Sequence, residues 1–146
     1  MPWKPRNCVV VPVDFSESSA PAVREAMSMA AAPSGVHVVH VIPDIETVSP
    51  GALFGNVSEA SLLENAEKHL QKFLSSQNID GVKTHTMIGD PGTQIVDYAL
   101  QKKADLIVIP SHGYHGMKHL LLGSVAERVI RHAECPVFVL RRLDAE

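Results

Sequence analysis

The residues best suited to chemistry lie between Pro110 and Val125, PSHGYHGMKHLLLGSV. Gly113, Gly116 and Gly123 punctuate this stretch, and Ser124 follows the last of them. Before it, Leu106 to Ile109 read as a short buried strand. After it, Val125 to Ile130 carry helical periodicity. One loop rich in glycine and histidine therefore joins a strand end to a helix start. The first N–H groups of a helix have no partner within it, and the helix dipole favours negative charge there. Such a junction suits a phosphate. Gly113 and Gly123 can take positive φ and admit an anion close to the backbone. Ser124 adds a hydroxyl donor or serves as an N-cap. Leu122 and Gly123 precede Ser124, with no lysine, so this is not a Walker A loop; nor is the spacing GxGxxG. Dipoles, a bound metal ion, and His115 or Lys118 are the candidates to meet the phosphate charge.

Ser111 and His112 directly follow Pro110. Their backbone can contact a ribose or an α-phosphate; alternatively, His112 only shapes the loop. His112, His115 and His119 have spacing that can ligate zinc, but no cysteine or carboxylate accompanies them. The expectation is no metal site built from protein ligands alone. Mg²⁺ held mainly by phosphates fits better, since it keeps waters and takes few protein ligands. No catalytic residues are assigned: no nucleophile–base arrangement is visible, and Asp105 reads as a turn residue.

These residues need elements to position them. Asn7 to Val13 is an apolar, β-branched run suited to a strand covered on both faces, with Pro12 near its end. Ser16 or Ser18 then caps a helix with a stripe of Ala22, Val23, Ala26, Met27 and Ala30. Val36 to Ile42 is the second strand, and Asp44 to Val57 a loop. Ser58 caps a helix bearing Leu62, Leu63, Ala66, Leu70, Phe73 and Leu74 at helical spacing. Val82 to Ile88 reads as an edge strand. Thr93 begins a third helix with Ile95, Val96, Ala99 and Leu100 inward. Ser124 to His132 is the last helix and Pro136 to Leu140 the last strand. The alternation β-α-β-α-β-α-β-α-β gives an α/β parallel sheet with helices on both faces.

A chain of 146 residues with 45% hydrophobic content fits one globular domain, 1–146. The formal charge of -3 argues against a nucleic-acid binder. The two cysteines, Cys8 and Cys135, are far apart in the chain and read as reduced, buried thiols of a cytoplasmic protein. No signal peptide is visible, and no apolar run is long enough to span a membrane.

The spacing Pro110, two residues, Gly113, nine residues, Gly123-Ser124 resembles the nucleotide-binding signature of the universal stress protein family, G-x2-G-x9-G-[S/T]. The resemblance extends through VVPVDFS, HVVHVIPD, GDPGTQIVDYA, ADLIVIPSHG and SVAERVIRHAECPVFVLR. It implies a single-domain, open, five-stranded, Rossmann-like sheet in the order 3-2-1-4-5, with the ligand crevice between strands one and four. It implies ATP with Mg²⁺ as ligand, contacted by Pro12, Val13, Asp14, Val41, Pro110, Ser111, His112, Gly113, Gly116, Gly123, Ser124 and Val125. In that picture Asp14 accepts the adenine amino group and Val41 touches the base; their plainer readings are a turn residue and a core residue. The resemblance also implies a homodimer through Pro136 to Leu140, the alternative being an edge covered by Met1 to Arg6. It allows slow ATP hydrolysis or self-phosphorylation of Ser124, but no dedicated enzyme. Proline in place of the first glycine fixes φ and removes one N–H from the loop. A nucleotide-dependent switch in stress response is thus expected, with an unknown protein partner. A stress protein acting through protein contacts without nucleotide is the alternative.

Overall fold

The computed structural model of the chain describes residues 4–44, 58–112 and 122–141. Five strands form one parallel sheet: β1 Val9–Pro12, β2 Val36–Ile42, β3 Lys83–Ile88, β4 Leu106–Pro110 and β5 Val137–Leu140, in the order β3-β2-β1-β4-β5. The helices are α1 Ser19–Met29, α2 Glu59–Ser76, α3 Pro91–Gln101 and α4 Ser124–His132. The order expected from the family resemblance is the one observed.

Side chains alternate across each strand, so the three inner strands feed two separate cores. On one face Val9, Val11, Val36, Val38, Leu106 and Val108 pack against α1 and α2 through Val23, Ala26, Leu70 and Leu74. On the other, Val10, Val39, Val41, Ile107 and Ile109 pack against α3 and α4 through Ile95, Tyr98, Ala126 and Val129. Burial on both faces explains why β1 and β4 read as apolar runs, and why β2, VHVVHVI, departs from one only at His37 and His40. The edge strand β3 is only partly buried and reads KTHTMI.

Local signals misplaced some details. The third helix starts at Pro91 rather than Thr93, because Asp90 is its N-cap and proline suits the first turn. Leu100 is 55% exposed, and Tyr98 takes the inward position instead. Residues facing inward along α3 are set by its tilt on the sheet, which no helical wheel supplies. Ser18 is the N-cap of α1 but makes no side-chain cap bond. Gly123, not Ser124, is the N-cap of α4, and Gly123 has φ -72, so positive φ is not required there. Cys8 and Cys135 are free but only partly buried.

Candidate functional site

The central strands part at their C-terminal ends, and two prolines account for it. In a parallel sheet, alternate residues bond to opposite neighbours. The Val13 amide donates to Val39 O at 2.8 Å, toward β2, and the Ser111 amide donates to Leu140 O at 2.8 Å, toward β5. The residues one step earlier, Pro12 and Pro110, therefore both turn their backbone toward the β1–β4 boundary, staggered by one residue, and neither has an N–H to give. Pairing there stops at Val9↔Leu106 and Val10↔Ile107. The outward ladders continue, to Pro12↔Val39 and Pro110↔Leu140. A crevice opens at the topological switch point, where open α/β sheets take ligands.

On the β1 side, Asp14 closes a tight turn into α1. Its Oδ1 accepts from the Ser16 amide at 3.0 Å and the Ser19 hydroxyl at 3.1 Å, and its own amide donates to Ser19 Oγ at 3.1 Å. Asp14 is thus the turn residue of its plainer reading and is also exposed at the strand end. Phe15 follows with φ 65, in the left-handed region. On the β4 side, Ser111 is 2% exposed and its hydroxyl lies 3.2 Å from His112 Nδ1. The Ser111 carbonyl accepts from the Gly123 amide at 2.6 Å, closing the base of the loop that runs between them. The Gly123 N–H is therefore committed within the loop rather than presented to a ligand. Ser124 stands exposed at the first turn of α4, and Val125 packs on the second core. Gly113, Gly116, His115, Lys118 and His119 lie outside the described residues.

The four helix starts divide by position. Ser58 caps α2 by accepting from the Ser61 amide, and Asp90 caps α3 by accepting from the Thr93 amide. The starts of α1 and α4, which follow the two strands flanking the crevice, have no side-chain cap bond. At α1 the first amide is already taken, Ser19 N–H donating to Ser16 O at 3.0 Å; at α4 the first amides have no acceptor within the helix itself. Pro12, Val13 and Asp14 thus gather on one lip of the crevice, and Pro110 to His112 with Gly123 and Ser124 on the other. Val41 is 8% exposed within the second core, so its plainer reading, packing, holds.

Sequence reasoning missed His40. Its Nδ1–H donates to Val13 O at 2.8 Å, and its ring packs against Phe15 at 4.6 Å. The signal was present: a histidine inside a strand covered on both faces needs a hydrogen-bond partner. Among the described residues, no three His, Cys, Asp or Glu side chains cluster as a metal site. No described helix is long and apolar enough to cross a membrane.

The model of the universal stress protein family matches residues 6–141. This chain belongs to that family. Universal stress protein MJ0531 of Methanocaldococcus jannaschii is 39% identical over 140 residues, covering 92% of this chain and 81% of that protein. The solved structure of MJ0577 superposes with a TM-score of 0.76 at 29% identity, covering 95% of this chain and 99% of that one. A universal stress protein of Archaeoglobus fulgidus, solved in complex with dAMP, superposes with a TM-score of 0.59 at 25% identity over 95% of this chain and 98% of that chain.

Proposed function

We propose that this universal stress protein binds ATP in the β1–β4 crevice and acts as a dimeric, cytoplasmic, nucleotide-dependent switch in stress response. The observation that carries the reading is the division of the helix starts: the two without side-chain caps, α1 and α4, follow the strands that flank the crevice. A nucleotide would present its phosphates to the amides at the start of α4 and the Ser124 hydroxyl. Its base would lie against Val13 and Asp14. Mg²⁺ would be held chiefly by phosphate oxygens and water. The relative that carries dAMP supports an adenine ligand. The outer edge of β5, with no described strand beyond it, supports pairing with a second copy. The described N-terminal residues do not cover that edge: Arg6 bridges to Ala30 at the end of α1.

Calorimetric titration with ATP and Mg²⁺, repeated with AMP and GTP, tests this. Micromolar ATP affinity, about -8 kcal/mol, with weaker GTP, is the expected result. Gly123→Val should abolish binding by filling the space at the start of α4. A competing reading, action through protein contacts alone, draws on the loop's reduced donor set: Pro110 has no N–H, and the Gly123 amide is bonded to Ser111. No heat with any nucleotide would favour it.

A further inference from the structure

We infer that His40 is a positioning residue: by holding the Val13 carbonyl it sets the Val13–Asp14 turn, and through that turn the crevice's preference for adenine over guanine. The base-preference half rests on the nucleotide reading above; the turn half does not.

Past the last β1–β4 pair, Val10↔Ile107, the end of β1 has no ladder from β4. β2 holds it at both backbone groups of Val13. The amide donates to Val39 O at 2.8 Å, and the carbonyl accepts from His40 Nδ1–H at 2.8 Å. A carbonyl only accepts, so the proton stands on Nδ1. The residue after Asp14 is gripped as well. Phe15, in a left-handed conformation that bulky residues avoid, lies 4.6 Å from the His40 ring, stacks on His69 of α2 at 4.3 Å, and meets Phe73 edge-on at 5.4 Å. Strained backbone of this kind persists only where its surroundings over-determine it. His40 thus contacts the residues on both sides of Asp14 without taking part in the Asp14 carboxylate's own bonds to Ser16 and Ser19. With the His40 donor gone, the Val13–Asp14 peptide loses the bond on its carbonyl side and keeps the one from the Asp14 amide to Ser19 Oγ, so it can tilt about that bond and carry the carboxylate relative to the base.

Two variants separate the hydrogen bond from the ring. His40→Phe keeps an aromatic ring on Phe15 and removes the donor. His40→Asn places an amide N–H close to the position of Nδ1 and removes the ring. Each is titrated with ATP and with GTP, and amide exchange is followed at Asp14 and Ser16. The expected result for His40→Phe is ATP binding weakened about 3- to 10-fold, as loss of one neutral hydrogen bond implies. The ATP-to-GTP affinity ratio should fall, and both amides should exchange faster. His40→Asn should restore the ratio. A loss of packing alone would not move base preference or be rescued by asparagine. Unchanged ratio and exchange in His40→Phe overturn the inference. A wild-type protein without nucleotide affinity overturns the nucleotide reading and the base-preference half with it. Exchange in His40→Phe then decides the turn half: faster supports it, unchanged overturns it.

Discussion

His37 and His40 stand three residues apart on β2 and face opposite sides of the sheet. His37, near the N-terminal end, is 8% exposed, and its Nδ1 shares a 2.7 Å hydrogen bond with the Tyr98 hydroxyl. Tyr98 in turn stacks on His85 at 4.9 Å and lies under the Lys102 ammonium at 5.7 Å. Nearby, the Asp105 carboxylate accepts from the amides of Asn7 at 2.9 Å and Cys8 at 3.1 Å, tying the start of β4 to the start of β1. At this end the central strands are joined. Three residues on, His40 holds a strand end where the same two strands have parted. One end of the sheet is fastened for stability and the other left open around a turn and two helix starts. The same residue type serves both ends because imidazole can donate or accept within a short reach.

Variants can break this contrast. The largest effect is expected from Tyr98→Ala, which removes a buried ring and leaves His37 unpartnered. It should cost about 3–5 kcal/mol of unfolding free energy, read by urea denaturation, with ATP affinity of the folded protein unchanged. A comparable loss of affinity would mean the two ends are not separable. Asp105→Ala comes next, at about 1–3 kcal/mol, because two amides lose a charged acceptor. Asp90→Ala should cost about 1 kcal/mol for its lost cap. Ser124→Ala, at a helix start without a side-chain cap bond, should stay within about 0.5 kcal/mol while weakening ATP binding. If Ser124→Ala destabilised the fold as much as Asp90→Ala, the division between capped and open helix starts would fail.

A pH series sharpens the same contrast. Burial, then the charges of Lys83, Lys102 and His85, lower the pKa of His37 below its ordinary 6.5. On acidification the unfolded chain therefore takes up the proton first. The contribution of His37 is full above about pH 6.5 and is lost as pH falls toward the folded value. Stability of the wild type should decline over that range more steeply than that of His37→Asn. Parallel curves would remove His37 as the source.

Much of the C-terminal end was legible. Pro12, Asp14, Ser111, Gly123 and Ser124 were named from loop chemistry and family resemblance, and the fold sets them on the two lips of one crevice. The N-terminal fastening was not legible. Tyr98 sits on a helix whose inward face was misjudged by its neighbour Leu100, and Asp105 gave no sign beyond a turn. Burial of Tyr98 depends on how α3 lies across β2 and β3, and Asp105 finds its partners, Asn7 and Cys8, just ahead of β1 and distant in sequence.

The sequence by itself determined the succession of elements, the strands covered on both faces, and the junction of β4 with the last helix. These are local properties, written in apolar period, β-branching and the placement of glycine and proline. Tertiary structure alone decided that Pro12 and Pro110 fall on one strand boundary, that His37 meets Tyr98, and that His40 grips Val13. Each joins residues from different elements, and a hydrogen bond made or withheld between them follows from strand order and register.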